Sequence, residues 1–247
     1  MESIHNTAGI FKRELKSYFE SPVAYVFLVV FLLLIGFFTF SVARYYEAGQ
    51  ADMRIFFFWH PWLYLLLVPA ASMRLWAEER RSGTIELLLT LPVTLTQTIV
   101  GKFLAAWVFL GLAVGLTFPL VITTAYLGDP DSGVVAGGYL GSILLAGTYL
   151  SVGMLTSAAT RSQVISFVLS VIVCLFLLVA GWPPVTDMLV RWAPGWMVRG
   201  IASFSVMPHY ESIQRGVLDL RDIGYYISVI VVMLFATHLT LQNRQSA

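Results

Sequence analysis

Six stretches of this chain, residues 23–42, 55–73, 103–127, 134–160, 162–182 and 223–242, contain no Asp, Glu, Lys or Arg. A helix needs about 20 apolar residues to cross a bilayer, and each stretch meets that length. A membrane barrel would instead show short strands of alternating polarity. Composition agrees, with 58% hydrophobic and 12% charged residues, against roughly 25% charged in soluble domains. The sequence therefore predicts an all-α membrane protein of six transmembrane helices, a single transmembrane domain over residues 1–247. The fourth and fifth stretches touch at Arg161, which demands a very tight turn.

Placement of Lys and Arg sets the orientation. With the N-terminus inside, the inner side carries Lys12, Arg13, Lys16, Arg74, Arg80, Arg81, Lys102, Arg161 and Arg244. The outer side carries Arg44, Arg54, Arg191, Arg199, Arg215 and Arg221, four of them in one long loop at 183–222. Counting short loops alone leaves nine against two, so both termini are expected inside. No small-residue cleavage site follows the first apolar run, so no cleaved signal is expected. The lone Cys174 lies mid-span and reads as a packing residue, since one thiol makes neither an intrachain disulfide nor a cysteine-rich metal site. A net charge of +1 gives no reason to expect a nucleic-acid partner.

Residues 2–20 precede the first span. Ile4, Ala8, Phe11, Leu15 and Tyr18/Phe19 recur at three- and four-residue intervals while Lys12, Arg13 and Lys16 take other faces, the pattern of an interfacial amphipathic helix on the inner leaflet. Ser21-Pro22 ends it. Gly111/Gly115 and Gly133/Gly137/Gly141 form small-xxx-small faces that let helices approach closely, within the chain or between subunits. Pro69 and Pro119 are expected to kink spans two and three. His60, in an aromatic cluster at the outer interface, and His238 near the inner end of span six each read either as pathway-lining or as reaching for the headgroups. Neither has a second ligand at metal spacing.

The second span is broken by Glu78-Glu79-Arg80-Arg81-Ser82-Gly83, followed by Thr84-Ile85-Glu86-Leu87-Leu88-Leu89 and Pro92. With Gly83 as N-cap, Glu86 falls at N3 and meets the positive helix end, Ile85, Leu88 and Leu89 share a face, and Pro92 stops the helix after about two turns. Such a helix at 78–93 is too short to span and is suited to receive a partner on the inner side.

No span holds a charge, so no proton relay or voltage sensor is apparent. The chain lacks a P-loop; Gly101-Lys102 stands without the preceding glycine and following hydroxyl. Any uphill work must come from another chain. The enzyme-class alternative, an intramembrane serine protease using Ser151 and His238, is disfavoured because Tyr149 stands where a G-x-S-G loop needs glycine.

Arg74-x-x-Ala77-Glu78-Glu79-Arg80-x-Ser82-Gly83-Thr84-x-Glu86-Leu87-Leu88, with Leu91-Pro92-Val93 and Gly101-Lys102-Phe103, resembles the signature after the second span of ABC-2 type transporter permeases. Two further segments, Lys12–Tyr25 and His209–Asp222, resemble the gliding-motility-associated branch of that family. The resemblance implies a permease that forms the translocation pathway as a dimer, with a second copy or a related permease, in a bacterial inner membrane. It implies no cofactor on this chain, with ATP and Mg on two copies of a separate ATPase. The coupling role falls on Glu78, Glu79, Arg80, Gly83, Thr84, Glu86, Leu88 and Pro92. A companion membrane protein with a large extracytoplasmic domain is also implied, and the alternative is a non-translocating subunit that transmits ATPase motion to it.

The extracytoplasmic loop at 183–222 is patterned. Val185, Met188, Leu189 and Trp192 form an i, i+3, i+4, i+7 stripe, with Asp187/Arg191 and Glu211/Arg215 at i, i+4. Ala193-Pro194-Gly195 breaks the chain before a second stripe, and Asp222 is placed to cap span six. Short tucked helices are expected, with Met188, Leu189 and Trp192 as an outer gate or as surface packing.

Overall fold

The computed structural model describes residues 2–47, 49–83 and 93–243, and these are helical with no strand among them. Helix α1 (Glu2–Glu20) ends where Ser21 turns extended, and Pro22 opens α2 (Pro22–Phe37), its missing N–H costing nothing in a first turn. A π-helical turn, Phe38–Val42, completes the first span. The second is built from α3 (Arg54–Phe57), α4 (His60–Ser72) and α5 (Ala77–Ser82). The third is α6 (Leu95–Gly115) followed by α7 (Phe118–Leu127). Pro119 sits in the first turn of α7, so it starts a helix after a break rather than bending a continuous one. Pro69 lies inside α4.

The fourth span is α8 (Ser132–Ala159), capped by Asp131, whose carboxylate accepts the Gly133 N–H at 2.8 Å. The tight turn at Arg161 is present. Thr160 and Ser162 are extended, and Ser162 caps α9 (Gln163–Val179). Five helical runs are long and apolar enough to cross a membrane, and α9 makes a sixth when joined to α10 (Pro183–Val190) across an 80° bend. That bend falls at Trp182, which the following Pro183 holds extended. Two short helices follow, α11 (Gly195–Ala202) and α12 (Met207–Gln214), and α13 (Leu220–Asn243) closes the chain.

Small residues make α8 the central helix. A Cβ at Gly138 would strike the Phe57 ring, one at Gly147 would lie 2.8 Å from Trp107 Nε1, and one at Gly153 would strike Ser72. Spans two and three thus press directly on the α8 backbone. Gly137 and Gly141 seat α12: a Cβ on Gly137 would run into the Ile213 carbonyl. Tyr210 then bonds Ser142 at 3.1 Å and the Phe57 carbonyl at 2.9 Å. The glycine face is therefore intrachain packing, and its partner is the loop at 183–222. Among the described residues, nothing lies within 4 Å of a Cβ placed on Gly111 or Gly115.

Several expectations are corrected. Asp219, not Asp222, caps α13, because the helix begins at Leu220 and the Arg221 N–H reaches Asp219 Oδ1 at 2.9 Å. Asp222 lies within the first turn and pairs with His209 Nδ1 at 2.7 Å. Among the described ion pairs, neither Asp187–Arg191 nor Glu211–Arg215 occurs. Arg215 stands at the end of α12 and its Nε donates to the Glu211 carbonyl at 3.2 Å, beside the Arg215 backbone N–H that the same carbonyl accepts. His60 is fully buried among Phe31, Phe56, Phe57 and Tyr64 and does not reach for headgroups. His238 faces Thr96 of α6 at 3.3 Å.

Candidate functional site

The exit of the second span is held at three points. Helix α5 carries Glu78 and Glu79 in its first turn and Arg80 and Arg81 in its last, a distribution matched to the helix dipole. Ser157, in the last turn of α8, accepts the Trp76 and Ala77 N–H groups at 3.0 Å each and donates to the Met73 carbonyl at 2.9 Å. One hydroxyl thus satisfies two amides that a helix start would otherwise leave bare. Arg80 Nη1 donates to the Ala158 carbonyl at 2.6 Å, tying α5 to the C-terminal end of α8.

The third point is Lys102. Its side chain is 4% exposed, with Nζ 2.6 Å from Glu79 Oε1 and 3.7 Å from Glu14 Oε1. It also donates to the Leu75 carbonyl at 3.4 Å and lies 5.2 Å from the centre of the Trp76 ring. One ammonium therefore joins α1, α5 and α6, and burial among carboxylates keeps it paired. Gly101 beside it lets α1 close in, since a Cβ there would meet Ile10 at 2.8 Å. Tyr18 stacks on Phe109 with ring centres 5.0 Å apart, and burial raises its phenol above the usual range. The face of α1 that docks is Thr7, Ile10, Glu14 and Tyr18, while Ala8 and Phe19 face outward.

Of the predicted coupling residues, Glu79 and Arg80 are in these clamps, and Glu78 is exposed, 4.0 Å from Arg74. Gly83 is the left-handed C-cap of α5 at φ 72, not the extended N-cap expected of it, because the charge burst itself is helical and needs a residue tolerant of positive φ to end it. Thr84, Glu86, Leu88 and Pro92 lie outside the described residues. On the far side, Thr94 and Gln97 form a reciprocal capping box that fixes the start of α6. Both ends of the intervening segment are thus anchored to spans. The sequence placed Lys102 among the inner cations and in the Gly101-Lys102-Phe103 motif, and Glu14 in the 12–25 segment, but gave neither of them, nor Ser157 or Trp76, a part in holding α5.

Ser151 donates to the Thr148 carbonyl of its own helix at 2.7 Å and His238 faces Thr96, so the two form no dyad. At the opposite end, Met188 is 67% and Trp192 86% exposed, with Leu189 half-buried. The helix that tucks against the spans is α12, not α10.

A family model described as ABC-2 family transporter protein matches residues 55–194, more than half of the chain. The chain belongs to the ABC-2 transporter family. It is a multi-pass membrane protein and the permease component of an ABC transporter, a non-catalytic part whose family works with an ATPase partner and in a dimeric arrangement. The matched stretch of this ABC-2 permease runs from α3 past α10, so it includes α5, Lys102 and Ser157, while Glu14 on α1 stands outside it. A search against curated proteins gives no match.

Proposed function

We propose that this permease forms the translocation pathway with a second copy or a related permease in a bacterial inner membrane, both termini inside. Two copies of a separate ATPase, holding ATP and Mg, dock on the segment between Gly83 and Pro92. Helix α5 carries their movement into α8 and α6. The observation that supports this is the triple anchorage of α5 through Ser157, Arg80 and Lys102. A segment meant only to connect two spans has no need of three side-chain clamps at its root. The gliding-motility-associated branch is the proposed subgroup, on the residues at 12–25 and 209–222, with a companion protein bearing a large extracytoplasmic domain.

The test is copurification. Leu88→Ala should release the ATPase, a truncated leucine in a docking groove costing about 2–4 kcal/mol, while the Lys102–Glu79 clamp is left whole and the permease still inserts. Full retention of the ATPase and of its stimulation would reject the docking site. The exposed Met188, Trp192 and Trp196 favour a second reading, in which the outer end engages the companion protein and this subunit transmits force without translocating. Measuring ATPase-dependent substrate movement in vesicles separates the two. In the first reading Met188, Leu189 and Trp192 act as the outer gate.

A further inference from the structure

Beside the elbow between α1 and α2 lies an apolar slot of about 300 Å³, walled by Val26, Phe27 and Val30 of α2, Ala70 and Ala71 of α4 and Phe109 of α6. Val26 is 61% exposed, so the slot opens onto the outer face of the first span. At one end it shares Tyr18, Ser21, Ala71 and Arg74 with a second, polar cavity that also contains Glu14, Glu78, Glu79 and Lys102. The result is an apolar channel running along a span and ending in a charged mouth. Those are the two halves of a phospholipid.

The charges at the mouth select the headgroup. Two cations, Arg74 and Lys102, face three carboxylates. Lys102 is committed to Glu79 and Glu14. Arg74 and Glu78 stand 4.0 Å apart with side chains 45% and 59% exposed, too loosely paired to satisfy each other. A guanidinium matches a phosphate with planar, charge-assisted donors, and the carboxylate beside it is left to accept from an ammonium. A headgroup with phosphate alone would add negative charge beside three carboxylates. A quaternary ammonium has no N–H to give Glu78. We propose that this slot binds one phospholipid with a primary-amine headgroup, its phosphate on Arg74, its ammonium on Glu78 and one acyl chain against Ala70 and Ala71.

Which leaflet supplies the lipid rests on the orientation proposed above; headgroup selectivity does not, and is measured in detergent. Full-length permease is titrated with phosphatidylethanolamine, phosphatidylcholine and phosphatidylglycerol of identical chains, and retained lipid is counted by native mass spectrometry. One phosphatidylethanolamine should be held at least about tenfold more tightly than either competitor, the worth of one charge-assisted hydrogen bond. Arg74→Gln should weaken it by a similar factor, and Glu78→Gln should bring ethanolamine and choline lipids level. Ala71→Phe, or the milder Ala70→Leu should the first not fold, should remove the tight site for all three. Tightest retention of phosphatidylglycerol, equal retention of the three, or retention untouched by the filling variants would overturn the proposal. So would a disulfide between two copies carrying cysteine at Val26 with no lipid held, which would give the slot to a second subunit.

Discussion

Lys102 shows how much one side chain can hold together. Its ammonium is shielded from water and faces carboxylates from two other helices. Removing one partner of such a buried pair strands the other, whereas removing both is far cheaper. Lys102→Met is therefore expected to destabilise the permease by about 3 kcal/mol, and Glu79→Gln in the same chain should recover most of that loss. Thermal unfolding of the single and double variants in detergent gives the comparison; a single variant that melts with the parent would remove Lys102 from the clamp. None of this was legible in sequence, because Glu14, Glu79 and Lys102 are scattered along the chain and a lysine at the foot of a span reads as a simple inside marker. Asp219 was missed for a related reason. Two aspartates flank Leu220-Arg221, and which one caps depends on where the helix begins, a boundary that hydropathy does not resolve.

At the scale of elements, the glycines of α8 were legible as a close-packing face, but not what packs on them. Spacing identifies a groove in a helix; it carries no address for the occupant, which here is α12, some seventy residues later. Gly137→Ala should push a methyl into the Ile213 carbonyl and displace α12, costing about 1–3 kcal/mol and speeding tryptic cleavage at the exposed Arg215. Gly111→Ala, with open space around it, should be neutral or stabilise by up to about 1 kcal/mol, as helix propensity alone would have it. Equal behaviour of the two would dissolve the seat. The stripe on α10 was also legible, yet Met188 and Trp192 face away from this chain. Whatever shields them must be bilayer or partner. Spin labels at Met188 and Trp192 in reconstituted membranes should resist aqueous quenchers while Asp187 and Arg191 stay accessible. Equal aqueous exposure of all four would reject the gate helix.

For the whole molecule, charge-free runs located the apolar helices, because crossing a bilayer imposes a length and a composition that no packing detail can override. They did not locate every end: α6 starts at Leu95, ahead of the run that begins at residue 103, because the helix continues through Lys102. Irregularities inside spans were only partly legible: Pro119 marked the break between α6 and α7, whereas the π-helical turn at Phe38–Val42 left no such trace. Orientation is open to a direct check. In a Cys174→Ser background, cysteine at Ser132 should react with an impermeant thiol reagent from outside intact cells and cysteine at Ser82 should not; labelling of Ser82 would invert the proposed topology. Transmission is the property that needs every span at once. If the clamps on α5 carry force, weakening them should spare docking and lose only coupling. Ser157→Ala leaves the Trp76 and Ala77 amides without their acceptor, at about 1–3 kcal/mol for a buried donor, and Arg80→Ala frees the end of α8. The double variant keeps the segment from Gly83 to Pro92 unchanged in sequence. It should therefore copurify with its ATPase in full yield while the permease loses its ability to stimulate hydrolysis. Stimulation at the parental level, with the ATPase bound, would mean that movement reaches the spans by some route other than α5. Loss of the ATPase itself would mean that the clamps shape the docking surface and do not transmit from it.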